Sequence, residues 1–562
     1  MTVFPLRQLS SVFLISLLAA ASTTATTPAL ARDAALQPTR PKLIVLITID
    51  GLPQRQVLSY RDQLAPDGFN RFLQRGSWFA NAHYGHAFTV TAPGHATLLT
   101  GAYPHRTGII GNDWRDSQTG QSEYCTGDTS ASYIGHATKP MDGTSPKNLK
   151  VETVGDVLRR ANPLSRVVAV SGKDRGAILP AGKTGTAYIY MAPTGQFASS
   201  TYYMPKHPAW VDAFNAARPA DRYFKMEWKA LLPEAAYAQS LPDNQPWFGP
   251  AGGGLPARFS APDDLAPGPN YYGLLLRGPF ADALALDFAS AAIDGEKLGQ
   301  DNVPDILSVS LSGHDYVNHA YSAESRLSHD HVLQLDRLLQ SFWRDLDAKV
   351  GKDQYVAVLT ADHGFMPAVE YSAQQGLPTG RVDGAQIIAN INKGLEPRFG
   401  PGKWIMGYSA STLLLDKKLI AQKGYDANAV TDAARMLLLA EPAFAAAYTR
   451  TELLSGSRAG EPFFTALQNA WHPDVSGDVQ YMLKPNWKFG LRSNGTTHGS
   501  PYAYDTHVPI LVYGPKWIGT GRIDTRVDVV DIAPTLARLL GVPAPSASEG
   551  SNLPLRLPVK AK

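Results

Sequence analysis

The chain has 562 residues, 44% of them hydrophobic and 18% charged, enough for one large α/β domain with insertions or for two or three domains with sizeable cores. A formal net charge of +3, with no lysine- or arginine-rich block, argues against a nucleic-acid-binding surface and against adsorption to an anionic membrane. The single cysteine, Cys125, excludes an intramolecular disulfide and reads as a small buried hydrophobe.

The first segment reads as a targeting signal. Arg7 supplies a positive n-region, Val12–Ala21 an apolar h-region, and Ala29-Leu30-Ala31 an A-x-A cleavage site. Residues 1–31 are therefore expected to be a cleavable signal peptide, with the mature chain starting near Arg32. The apolar run is short for a membrane span, and no later stretch reaches about 18 uninterrupted apolar residues. The expected product is exported, periplasmic in a Gram-negative host or otherwise secreted, with no stable membrane span. Nothing in the sequence bears on oligomeric state.

Strand-like runs follow at 43–49, 166–171, 304–311, 355–360 and 508–513. Helical stretches such as Glu152–Ala161, Phe280–Ile293 and Ser325–Leu346 separate them. This alternation predicts an α/β fold, a large mostly parallel sheet sandwiched by helices. Two stretches break the rhythm. Residues 181–275 are rich in Pro, Gly, Trp and Tyr with little period, and 368–490 mix a helical piece, Ala427–Ala440, with loops and an aromatic patch. Both read as insertions forming a cap over the strand ends of one domain spanning 32–562. Tyr202, Tyr203, Trp228 and Trp247 are expected to pack within the first of them. A last helix is opened by Asp531 and closed by Gly541.

Three strand ends carry metal-type ligands. Asp50 ends LIVLITI, Asp315 and His319 follow in SGHDYVNH, and Asp362-His363 closes VAVLTADH. Loops at the carboxyl ends of strands are where open α/β sheets place ligand sites. A mixed carboxylate and imidazole set suits more than one zinc-like ion. Two such ions need about six protein ligands, and five are at hand. The sixth is sought before the last strand, where His498, in a Gly-rich loop, is preferred to His507, which abuts the strand.

Thr91 precedes Ala-Pro-Gly-His95 and the start of a helix, so its hydroxyl would sit beside N-terminal N–H groups that suit a phosphate or sulfate. A bound metal would turn that hydroxyl into a nucleophile, whereas an isolated Thr there would be only an N-cap. In VSGKDRG, Lys173 and Arg175 lie just past another strand end; on extended backbone both would face one dianion. Asn112 is a further candidate donor. A solvated turn pairing with Asp174 is the plainer alternative.

Taken in order, Asp50, Thr91-Ala-Pro-Gly-His95, Asp315-x3-His319, Asp362-His363 and His498-Gly499 resemble the alkaline phosphatase superfamily, over about residues 42–545. The nucleophile segment is similar to that of the nucleotide pyrophosphatase/phosphodiesterase branch. Thr91, Asn112, Lys173 and Arg175 together resemble the threonine-nucleophile bacterial alkaline phosphatases. The resemblance implies two Zn2+, one on Asp315, His319 and His498, the other on Asp50, Asp362, His363 and the Thr91 oxygen. It implies in-line attack by Thr91 on a phosphate monoester, a phosphothreonine intermediate, and hydrolysis of that intermediate to inorganic phosphate. Phosphodiester hydrolysis with the same nucleophile is the alternative, and the two cations argue against it. His95 is expected to be structural, His314 either to support Asp315 or to face solvent, and Asn318 to alter loop shape. His472–Asp478 matches a stretch of the same branch and is given no chemistry.

Overall fold

The computed structural model describes residues 40–116, 119–249, 253–491 and 495–558; the expected signal peptide lies outside them. Its centre is β1 (Leu43–Ile49), whose seven residues, six of them apolar and the other Thr48, are all buried, as in a strand covered on both faces. The other strands of the same sheet are β2 (Ser77–Phe79), β3 (Val167–Ser171), β4 (Thr186–Met191), β5 (Gln196–Ala198), β6 (Asp305–Leu311), β7 (Tyr355–Thr360), β8 (Ile510–Tyr513) and β9 (Gly521–Ile523). They are ordered β9-β2-β8-β7-β1-β6-β3-β4-β5.

The five strands from β7 to β4 are parallel, with β1 in register between β6 and β7. Flanking pairs β7–β8, β8–β2 and β4–β5 run antiparallel, so the sheet is mixed. Helices flank it: α1 (Thr91–Thr100) packs on α2 (Asp174–Ala181), and α3 (Pro279–Gly295) on α5 (Arg326–Lys349), with the short α4 (Gly313–Tyr321) between β6 and α5.

Residues 186–198, expected within the first insertion, are β4 and β5 of this sheet. Their aromatic run TAYIYM, set between Gly182, Gly185 and Gly195, looks like loop composition but is buried strand. The stretch 368–490 holds more than loops and one helix. Four antiparallel strands (Ile405–Ser409, Thr412–Leu415, Phe444–Thr449 and Val479–Leu483) pack with Gly384–Phe399 and Ala427–Ala440 around a separate core including Trp404, Ile405, Leu438 and Val479. Three consecutive alanines in FAAAYT hide the strand period there. Among the described residues no helix is long and apolar enough to cross a membrane.

Candidate active site

Asp50 leaves the end of β1 fully buried, its N–H donating to the Leu311 carbonyl at 3.0 Å. Gly51 then turns at φ +73°, and a Cβ there would come within 3.1 Å of the Phe365 ring. Its N–H donates to Asp362 Oδ1 at 3.0 Å and its carbonyl accepts from Asn318 Nδ2 at 3.0 Å. One turn thus ties together the three segments that bring acids to the site.

Asp315 and His319 are not on a loop, as expected, but one turn apart on α4. Residues i and i+4 share a helix face, so the Asp-x3-His spacing itself places both side chains together. Asn318 belongs to the same helix. Its Oδ1 accepts from Ser328 Oγ at 2.6 Å, so it braces α4 against β1 and α5.

The imidazoles share one arrangement. Nδ1 of His319 donates to Thr496 O, that of His363 to Gly364 O and that of His498 to Thr89 O, each at 2.9 Å. A carbonyl only accepts, so each ring carries a proton on Nδ1 and turns Nε2 inward, the orientation that metal-binding histidines use. Nε2 of His319 and of His498 lie 3.3 and 3.6 Å from Asp315 Oδ1. His363 Nε2 lies 3.4 Å from both Asp50 Oδ1 and Asp362 Oδ2, and its ring stacks on His498 at 3.5 Å. His507 is elsewhere, its Nε2 on Ala80 O and its ring on His83.

Two sets of ligand atoms converge: Asp315, His319 and His498, and Asp50, Asp315 and His363. Asp362 stands beside the second set and is divided between Gly51 N and the rings of His95 and His363. Three buried carboxylates face one ammonium, Lys173 Nζ, at 2.7 Å from Asp50 and 2.5 Å from Asp315. Burial opposes the Lys173 charge, but Asp315 and Asp50 outweigh it and raise the pKa; Arg175 acts against them. Burial likewise disfavours charge on His363, yet Asp362 and Asp50 push it up to about 9. A single Lys leaves this negative field unmatched. Asp50 Oδ1, Asp315 Oδ1 and His363 Nε2 are buried without a hydrogen-bond partner, and Asp50 Oδ2 has only the Lys173 ion pair. Unpaired buried acids are costly, and divalent cations fit this donor set.

Thr91, almost fully buried, is the first residue of α1, and the N-cap position belongs to Val90. Gly94 lets α1 press on the site: a Cβ there would lie 2.2 Å from Asp362 O. His95 fixes the same helix, with Nδ1 2.9 Å from Thr91 O and 3.2 Å from Asp362 Oδ2, and Nε2 2.8 Å from Ser310 Oγ. Asn112 Oδ1 accepts from Ala92 N at 2.8 Å. Lys173 and Arg175 do not share extended backbone. Lys173 ends it, and Arg175 is in the first turn of α2. Arg175 Nη1 instead donates to Tyr124 Oη at 3.1 Å, and that hydroxyl donates to Asp174 Oδ1 at 2.6 Å. Lys173 Nζ lies 5.0 Å from the Tyr316 ring centroid. No short motif marks Tyr124 or Tyr316.

The family model described as type I phosphodiesterase / nucleotide pyrophosphatase matches residues 44–504. The chain belongs to this family. It is 35% identical to alkaline phosphatase PafA of Elizabethkingia meningoseptica, over 92% of this chain and 94% of that protein. It is 34% identical to a protein of Myroides odoratus named calcium-transporting ATPase, over 92% and 94%. The crystal structure of wild-type PafA superposes with a TM-score of 0.83 at 33% identity, covering 92% of this chain and 98% of that one.

In this family member the residues around the site have structural partners. His314 is fully buried, with Nε2 2.8 Å from Gln56 Oε1 and Nδ1 3.2 Å from His331 Nδ1, so it does not face solvent. Burial pushes the Cys125 thiol up. Asp478 braces the small antiparallel sheet, accepting from Leu415 N at 3.0 Å. Trp228 and Trp247 are buried, whereas Tyr202 is exposed. Over His319 and His498 opens a cavity of about 480 Å3, with these two and Asn112 on its floor and residues 481–484 and 487–489 among its walls.

Proposed function

We propose that the protein is an exported alkaline phosphatase, a phosphate-monoester hydrolase in which Thr91 is the nucleophile. The observation that carries this reading is the pairing of an acid-rich ligand cluster with two adjacent cations, Lys173 and Arg175. A phosphoryl group with close to two negative charges matches two cations; a diester, with one, does not.

Asp315, His319 and His498 would hold one zinc ion and Asp50, Asp362 and His363 a second. Zinc supplies Lewis acidity and neutralises phosphoryl charge. The rest is the work of the chain. Thr91 Oγ bonds to phosphorus as the ester oxygen leaves with the electron pair of the P–O bond and takes up a proton. The resulting phosphothreonine is then hydrolysed, water supplying the oxygen and returning the threonine hydroxyl. Asn112 has its Oδ1 engaged by Ala92 N, which leaves Nδ2 to donate to a phosphoryl oxygen. Arg175 offers a planar fork and Lys173 a point charge to the same group. His95 holds α1, and so Thr91, against Asp362. The A-x-A signal and preceding apolar run support export.

The family description favours a second reading, phosphodiester hydrolysis with the same nucleophile. The test compares kcat/KM for a phosphate monoester and its matching diester on zinc-reconstituted protein, before and after Lys173→Ala/Arg175→Ala. A monoester preference that collapses selectively in the double variant supports the phosphatase. A diester preference indifferent to those changes overturns it.

A further inference from the structure

The helix α4 presents two pairs of side chains four residues apart, each pair on one face. Asp315 and His319 belong to the ligand sets. His314 and Asn318, both fully buried, belong to a polar chain that phosphoryl transfer does not use. Gln56, on the helix Gln54–Ser59, joins them. Its Oε1 lies 2.8 Å from His314 Nε2, and its Nε2 donates to Ala323 O at 2.8 Å and to Ser328 Oγ at 2.7 Å. Ser328 Oγ then donates to Asn318 Oδ1. In the other direction His314 Nδ1 lies 3.2 Å from His331 Nδ1 on α5, and His331 Nε2 lies 3.4 Å from Asp282 Oδ2 on α3. Asp282 closes the chain on α4 itself, its Oδ1 accepting from Gly313 N at 3.0 Å.

The hydrogens of this chain can be placed. Ala323 O only accepts, so Gln56 turns its nitrogen there and its oxygen to His314, whose Nε2 carries a hydrogen. Facing lone pairs repel, so one hydrogen lies between the two imidazoles and one between His331 and Asp282. His331 Nε2 and Asp282 Oδ2 are buried and, among the described residues, have no hydrogen-bond partner, which leaves each answered by the other. Three junctions need three hydrogens; two neutral rings supply two, and the third balances the Asp282 carboxylate. Ser312, at the N-cap of α4, makes no side-chain cap, so Asp282 is the acceptor that the first-turn N–H requires. Gly313 permits the approach, since a Cβ there would lie 2.6 Å from Asp282 Oδ2. Successive helix residues point about 100° apart, so fixing the His314 ring fixes the rotation that aims Asp315.

We propose that Asp282 and His331 are positioning residues for metal binding: through Gly313 and His314 they set the rotation of α4 and so aim Asp315 and His319 at one ion. This rests on the reading of Asp315 and His319 as zinc ligands and adds the network that orients them.

The experiment measures the zinc dissociation constants of the full protein by competition with a chromophoric chelator. Visible absorption after cobalt replacement reads the ligand geometry. Asp282→Leu removes the acceptor of Gly313 N and the partner of His331. It is expected to weaken one of the two zinc ions about ten- to a hundredfold and to change the cobalt spectrum. Asp282→Asn leaves an amide that accepts from Gly313 N through its oxygen and donates to His331 through its nitrogen, completing the chain with two neutral rings. It should keep the zinc affinity and the cobalt spectrum of the wild type. His331→Phe, which retains a ring beside Trp228, should reproduce the loss, and combined with Asp282→Leu it should cost less than the sum of the two. Wild-type zinc affinity in Asp282→Leu and His331→Phe overturns the proposal, as does Asp282→Asn as weak as Asp282→Leu. Where Asp282→Leu does not fold, His331→Phe decides by the same measure. Failure of the wild type to hold two zinc ions overturns the ligand reading itself.

Discussion

At the floor of the cavity the acids, His319, His363 and Thr91 spring from strand ends or from helices that follow them, while His498 and Asn112 stand on loops, and backbone hydrogen bonds fix the imidazoles. Gly51 N holds Asp362, three carbonyls hold the imidazole protons, and Gly94 lets α1 close on Asp362 O. The roof joins the end of a small antiparallel sheet with its own core, Val479–Leu483, to Trp487–Phe489, which pairs in parallel with Gly380–Val382, and its cations stand at the surface or half-buried. The contrast separates two tasks. Under the proposed reading, a floor built on the main sheet would carry phosphoryl transfer, and a roof built outside that sheet would bound the space left for the rest of an ester. Floor variants should therefore abolish turnover, and roof variants should redistribute it among substrates.

Thr91→Ala is the severest test. Loss of the nucleophile should lower kcat on phenyl phosphate by about a thousandfold or more, whereas Trp487→Ala should cost less than about tenfold. Comparable losses would erase the distinction between floor and roof. Asp315→Asn comes next, because Asp315 belongs to both convergent ligand sets. Bound zinc, measured by elemental analysis after dialysis, should fall, and kcat/KM should drop by about a hundredfold or more. Chelation of the wild type should reproduce that loss and added zinc should reverse it.

Asn318→Ala probes how the floor is held. It removes a buried amide bonded to Gly51 O and Ser328 Oγ, stranding both partners. The expected cost is about 1–3 kcal/mol in urea unfolding, with zinc affinity falling alongside because α4 carries two ligands. Unchanged stability would mean that α4 is fixed by packing alone.

The two regions also differ in how far the sequence shows them. The buried runs of β1, β6 and β7 announce the sheet, and the acids at their ends point to candidate ligands, because parallel strands covered on both faces are largely apolar. Periodicity was a poorer guide where side chains do not alternate. FAAAYT in the cap and TAYIYM at β4 are strands without a period-two signal. Local conformation was misjudged twice for one reason: helices begin immediately after strands here. Asp315-x3-His319 lies on α4, and α2 starts between Lys173 and Arg175, turning Arg175 toward Tyr124. Tyr124 itself was invisible, since only tertiary structure brings residue 124 beside 175.

That contact gives the smallest and most specific prediction. The hairpin Asp113–Arg115/Ser122–Tyr124 leaves directly from Asn112, whose carbonyl accepts Cys125 N at 3.0 Å. It therefore carries Asn112 at one end and the Tyr124 hydroxyl, between Arg175 and Asp174, at the other. Tyr124→Phe keeps the ring and deletes the hydroxyl, so Arg175 loses a neutral acceptor and Asp174 a donor. Tyr124 is a positioning residue. Its loss should reduce kcat/KM for the monoester by about tenfold, the scale of one hydrogen bond to a charged group, and the diester much less. In an Arg175→Ala background the same change should add almost nothing, because the group it positions is gone. Additive losses in that double-mutant cycle would show that Tyr124 acts through the hairpin and Asn112, placing the link between the clamp and the nucleophile in the backbone and not in the guanidinium.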